Sequence, residues 1–269
     1  MQRRKFLALC AAAPFFSAPA FAAEMPAALS FDSHGRPLIE VMLNGQGPFA
    51  LVLDTGAAAT GLSPATIARL SLAEVGRARV HGASGAEDVP LYRLDAIAIG
   101  AHQRTQQMGA ALPNNPSAEG HAGVLGASMF TGTRIRFDFT ANIFTIDDSP
   151  ARAPLSGAIL TPVTFRHRTF AFFPVRVSGV NAQAVLDTGA RRSVANAHLR
   201  TALGFAADDA RLRAVEGVGG ATSHRTETFG ADVPDIAIAG HEFGGLELAF
   251  ADLPVFPQLG LGDGLEGGA

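Results

Sequence analysis

The segment Val52-Leu53-Asp54-Thr55-Gly56-Ala57 is written a second time, residue for residue, as Val185-Leu186-Asp187-Thr188-Gly189-Ala190. In each copy an apolar run, Phe49 to Leu53 and Ala182 to Leu186, leads straight into Asp-Thr-Gly. A run without polar alternation fits a strand buried on both faces, and Asp followed by Gly is turn chemistry. The chain is therefore expected to hold two strand-turn units, each carrying one aspartate out of a core. Two carboxyls held within hydrogen-bonding distance cannot both ionise cheaply. Such a pair shares one proton, which suits acid and base work.

The flanks repeat along with the motif. Leu38 to Leu43, the turn Asn44-Gly45-Gln46-Gly47 and the run into Asp54 read as a hairpin; Phe172 to Val177, the turn at Ser178-Gly179 and the run into Asp187 read as its counterpart. Ser63-Pro64 predicts a capped short helix through Leu70, and Asn196 predicts another that stops at Gly204. Gly-bearing hairpins are expected around Gly82 to Gly85 and from Val215 to Gly220, and Ile97-Ala98-Ile99-Gly100 returns as Ile236-Ala237-Ile238-Ala239-Gly240. Residues 103–121 read as a long polar loop. Gly123-Val124-Leu125-Gly126 then returns to buried character, and Arg134 to Phe139 with Ile143 to Ile146 predict a closing strand pair. The second half shows no matching apolar-Gly element or closing pair before Ala269, so its lobe is expected to be incomplete. The divisions that follow are a leader 1–22, a first lobe 23–146, a linker 147–162 and a second lobe 163–269.

Composition agrees with many short strands: 30 Gly, 16 Pro and only 17% charged residues in 269. Net charge is −3, or −6 without the leader's three bases, which offers nothing to a phosphate backbone. Arg3-Arg4-Lys5-Phe6-Leu7, a short apolar run and Ala20-Phe21-Ala22 predict a signal peptide of twin-arginine type, hence export to the periplasm or beyond. No stretch approaches the roughly 20 apolar residues of a membrane span. The single cysteine, Cys10, lies in the leader, so the mature chain has neither a thiol nucleophile nor a disulfide.

With its paired Asp-Thr-Gly-Ala, the Gly-bearing hairpin and the Val-Leu-Gly element, the chain resembles retropepsin-like aspartic proteases, in the form that carries two tandem lobes. The resemblance spans about Pro37 to Gly262. It implies an all-β fold of two closed-barrel lobes with a cleft between them. It also implies peptide-bond hydrolysis without a cofactor or metal, on a peptide or protein substrate. Asp54 and Asp187 would be the catalytic pair, with Thr55, Gly56, Thr188 and Gly189 supporting them. The threonines are expected to bond across the lobe interface. One chain supplying both aspartates implies a monomer acting as a pseudo-dimer. Ala57 and Ala190 stand where a hydroxyl would stabilise the ionised carboxylate, which predicts a less acidic optimum than pepsins show. The alternative reading is an exported β protein that keeps the cleft to bind peptides or a partner without catalysis.

Other chemistries find little support. Histidines 81, 102 and 121 and the other five show no metal-ligand spacing and are expected to be solvated. Tyr92, the only tyrosine, is expected in a strand. Gly262 to Gly267 fits GxGxxG in form but has no strand before it and no helix after it, and no GxSxG elbow is present.

Overall fold

The computed structural model describes residues 25–113, 120–147 and 156–261. The leader, most of the proposed linker and the glycine-rich tail lie outside the described residues. The first half is built from ten strands: β1 (Met25–Phe31), β2 (Pro37–Leu43), β3 (Gln46–Asp54), β4 (Thr60–Leu62), β5 (Glu74–Gly82), β6 (Gly85–Ile99), β7 (His102–Ala111), β8 (Gly123–Gly126), β9 (Arg134–Asp138) and β10 (Ile143–Asp147). Helix α1 (Pro64–Arg69) follows β4, its first turn capped by Ser63 Oγ accepting from Thr66 N at 3.2 Å.

Six of these strands close into a barrel in the order β2, β3, β8, β4, β7, β6, and back to β2 through Met42 opposite Ala98. The turn at Asn44 and Gly45 is left-handed at both residues (φ 50° and 73°), as the Asn-Gly pair predicts, and fixes the β2/β3 register with Leu38 opposite Val52. β3 runs up the barrel beside β8 in parallel, Leu51 opposite Gly123 and Asp54 opposite Gly126. Because β3 is covered on both faces, Leu51, Val52 and Leu53 are wholly buried. They pack with Leu43, Leu62, Leu94, Ile97 and Leu125 into one core, and Phe130, Phe137 and Phe144 stack edge-on beneath it.

The second half forms a seven-stranded sheet: β11 (Thr164–Arg166), β12 (Phe170–Val177), β13 (Val180–Val185), β14 (Val194–Ala195), β15 (Arg213–Val218), β16 (Thr226–Ile238) and β17 (His241–Phe250), with helices α2 (Ala197–Ala202) and α3 (Val255–Gln258). Its parts answer to those of the first half. β12 and β13 form the hairpin that carries Asp187, β14 lies parallel to β17 as β4 does to β7, and Asn196 Oδ1 caps α2 from Leu199 N at 2.9 Å. A smaller core gathers Val177, Ala195, Phe205, Val233, Leu248 and Phe250.

The halves differ at one flank. Among the described residues β13 pairs with β12 alone, whereas β3 has β2 on one side and β8 on the other. The second unit is thus an open sheet where the resemblance implied a second closed barrel. Leu53 is fully covered while Leu186, at the same place in the repeat, is 46% exposed. Truncating Leu53 to alanine is expected to cost about 2–5 kcal/mol through a cavity that cannot collapse. Leu186→Ala should cost about 1 kcal/mol or less. Denaturant titration of both variants checks the ratio; equal losses would contradict the open flank.

Three expectations are corrected. Residues 103–121 are not one loop, since β7 occupies His102–Ala111 and pairs with β6 from Ile99 opposite His102 to Leu91 opposite Ala110. Gln103, Thr105 and Gln106 face solvent, and a left-handed Gln106 (φ 53°) interrupts the register, so the strand lacks apolar alternation. His102 and His121 are buried rather than solvated. His102 Nε2 meets Met129 O at 3.1 Å and its ring stacks on Phe130, while Arg36 Nη2 lies 3.1 Å from His121 Nε2. Tyr92 does lie in a strand, on β6 opposite Gly109.

Candidate active site

Each aspartate stands where a buried strand gives way to a turn, and the turn's own amides hold it. Gly56 N donates to Asp54 Oδ1 at 2.8 Å; Gly189 N and Ala190 N donate to Asp187 Oδ1 at 2.9 and 3.0 Å. The two turns are locked together reciprocally. Thr55 N donates to Thr188 Oγ1 and Thr188 N to Thr55 Oγ1, both at 3.1 Å. Each hydroxyl in turn donates across the interface to the carbonyl two residues before the opposite threonine, Thr55 Oγ1 to Leu186 O at 2.8 Å and Thr188 Oγ1 to Leu53 O at 2.6 Å. Four bonds related by a pseudo-twofold axis leave no buried donor or acceptor idle at this junction, as a part-buried polar contact requires.

Glycine is needed in both turns because the partner's carboxyl occupies the space of a side chain. A Cβ on Gly56 would overlap the Asp187 carboxyl, and one on Gly189 would overlap that of Asp54. The carboxyls therefore face each other and share a hydrogen bond. Burial pushes the Asp54 carboxyl up to about 8, aided by the charge and hydrogen bond of Asp187 and opposed by the Gly56 and Ala57 amides. Asp187 is raised as well, by burial, while bonds from Asp54, Gly189 and Ala190 hold it down. It keeps solvent-accessible surface on the flank that β13 leaves open, yet protein surrounds it closely enough for desolvation to dominate. The pair thus carries one proton near neutral pH, drawn toward Asp54.

The turns are braced unequally. In the first lobe the 3-10 turn Ala127–Phe130, which follows β8, donates Ala127 N to Ala57 O at 2.8 Å and Ser128 N to Ala58 O at 3.3 Å. In the second lobe, Arg191 and Arg192 replace Ala58 and Ala59. Arg191 Nη1 reaches the Glu216 carboxylate on β15 at 2.9 and 3.0 Å, tying the turn to the neighbouring hairpin.

All six residues singled out from the sequence, Asp54, Thr55, Gly56, Asp187, Thr188 and Gly189, meet at this one interface. Among the described residues no group of three or more His, Cys, Asp or Glu is assembled that could hold a metal. A family model for aspartyl proteases matches the chain twice, over residues 39–129 and 173–265, and each match contains one of the two turns. The chain belongs to the aspartyl protease family. Among solved structures, the aspartic proteinase from Irpex lacteus is similar in fold at 14% identity, with a TM-score of 0.50 over 82% of this chain and 78% of that one. A retropepsin-like aspartic protease from Rickettsia conorii aligns at 16% identity over 46% of this chain and 90% of that one, with a TM-score of 0.35. No curated protein sequence matches the chain.

Family membership directs attention to the two long hairpins, β5–β6 and β15–β16, where the lobes touch a second time. Ser84 Oγ donates to Val218 O at 2.7 Å, and Ser223 donates to a Glu87 carboxylate oxygen from N at 3.0 Å and from Oγ at 2.9 Å. The glycines announced both hairpins. Nothing in the sequence announced Glu87 or Ser223, because they are 136 residues apart and share no motif.

Proposed function

We propose that the chain is an aspartic endopeptidase that hydrolyses peptide bonds with a water activated between Asp54 and Asp187. The observation that carries this reading is the reciprocal threonine lock, which sets two carboxyls face to face with one proton between them. The ionised carboxyl takes a proton from the water as the protonated one donates to the scissile carbonyl. The resulting tetrahedral carbon then collapses with the roles exchanged, and the leaving amine departs protonated. Thr55 and Thr188 hold the geometry, and Gly56 and Gly189 give each carboxyl its room. The substrate is a peptide segment extended between the lobes. The leader supports export to the periplasm or beyond, and the presence of both aspartates in one chain supports a monomeric enzyme.

The test is cleavage of a mixed peptide library, followed by inhibition with a statine-type transition-state mimic. Mimic binding without turnover of any peptide would favour the peptide-binding alternative instead. The pH profile adds a second check. The active form is the singly protonated pair, so activity falls on the alkaline side as that proton is lost and on the acid side as the second carboxyl gains one. With Asp54 raised to about 8, the alkaline limb is expected near or above neutrality, with full activity retained at about pH 6–7. An optimum near about pH 2, in the range of the pepsin pair, would contradict it.

A further inference from the structure

The lobes touch at the Asp-Thr-Gly turns and again at the hairpin tips, so a peptide lying over the carboxyls is enclosed between the two contacts. The second contact holds opposed elements. On the closing side are the bond from Ser84 to Val218 O and the two from Ser223 to Glu87. Backbone packs closely there: a Cβ on Gly85 would stand 2.7 Å from His224 Cγ, and one on Gly220 would stand 3.4 Å from Ala83 N. On the opening side is Thr222. It is 3% exposed and packed against Gly82, and its hydroxyl has no hydrogen-bond partner. A buried hydroxyl left unpaired costs free energy that exposure to water would return.

We propose that this junction is an acid-opened gate on the cleft, in which ionised Glu87 latches the two hairpins and the unpaired Thr222 hydroxyl works against the latch. The gate rests on the peptidase reading only in that it gives the cleft a peptide to admit. Closed and open forms differ by a few bonds between two otherwise independent hairpins, which is the balance a switch needs. The sign follows from Glu87. The Ser223 bonds hold its carboxyl below the ordinary value of 4.5, so the latch is complete at neutral pH and is lost as pH falls through that lowered value. The other charged groups around it do not reverse this. On its own hairpin, Arg79 and Asp88 pair with each other at 3.3 Å, and His81 lies across on β5. From the opposing hairpin, His224 attracts the Glu87 charge, and Arg225 is engaged by Glu216 and Gly217 O.

The experiment measures the gate without relying on turnover. In the full chain carrying Cys10→Ser, spin labels are placed at Asp88→Cys and Glu227→Cys, both exposed positions, one on each hairpin, and their separation is read by pulsed EPR. The expected result is one short distance at about pH 7 and an added longer one at about pH 3. Glu87→Gln should raise the open-to-closed ratio at neutral pH about three- to tenfold, and Thr222→Val should lower it at acid pH by a similar factor. Distances that ignore both pH and Glu87→Gln overturn the gate. So does a Thr222→Val shift toward the open form. Because the distances need no substrate, a responsive gate on a chain that cleaves nothing would sink the peptidase reading alone, and turnover with unresponsive distances would sink the gate alone.

Discussion

Asp54→Asn is expected to lower kcat by about 10³-fold or more while leaving the fold intact. General acid and base catalysis by a positioned group is worth about 10²–10⁴-fold, and here each carboxyl serves in both roles during one turnover. Asparagine fills the same volume and can donate from its amide to Asp187, so the loss is one of proton transfer and not of packing. Asp187→Asn should do as much. The double variant should be little worse than either single one, because neither carboxyl has its role without the other. The thermal readout separates this from damage to the site. Both carboxyls are raised chiefly by burial, so their ionised forms are disfavoured in the folded state. Removing one titratable group should hold or raise the melting temperature at neutral pH. Unchanged peptide turnover in Asp54→Asn would sink the mechanism, and a large fall in melting temperature would mean that the carboxyls hold the lobes together.

How much of this was legible in the sequence follows from the range of the interactions. The Asp-Thr-Gly turns, the Ser63 and Asn196 caps and the Asn44-Gly45 hairpin are decided within four residues, and each is found where the residue types put it. The threonine lock spans 133 residues, yet it was legible because the motif is repeated and twofold symmetry pairs like with like. β7 was missed because pairing with β6 and closure of the barrel, not its own apolar pattern, hold it in place. His102 and His121 were missed because their partners, Met129 O and Arg36, are distant and the burial of a lone histidine leaves no periodic trace. The unequal flanks were legible as a broken repeat. Their consequence, Leu53 covered and Leu186 exposed, needed the pairing of β3 with β8 to become visible.

Gly56→Ala and Gly189→Ala are each expected to reduce kcat about 10²-fold or more, with KM much less affected. The added methyl lands on the opposite carboxyl, and a misplacement of about 1 Å at a reacting group costs on that scale. The direction of yielding can be argued. The first turn is held by Ala127 N and Ser128 N, whereas among the described residues the second has no counterpart of β8 behind it. In Gly56→Ala the methyl sits on the braced turn and Asp187 must move; in Gly189→Ala the second turn backs away and takes Asp187 with it. Both variants therefore separate the carboxyls by displacing the same one. Separation removes the charge and hydrogen bond of Asp187 that raise Asp54 beyond the effect of burial. The alkaline limb of the residual activity should accordingly shift toward lower pH in both variants, as the proton is no longer shared. Serine at either glycine should be at least as damaging as alanine, since it adds bulk at the same point. A variant that keeps the wild-type limb while losing turnover would show that the methyl disturbs substrate binding and leaves the pair intact. Wild-type turnover in Gly56→Ala would show that the two turns can part without cost, and the threonine lock would then have no catalytic role.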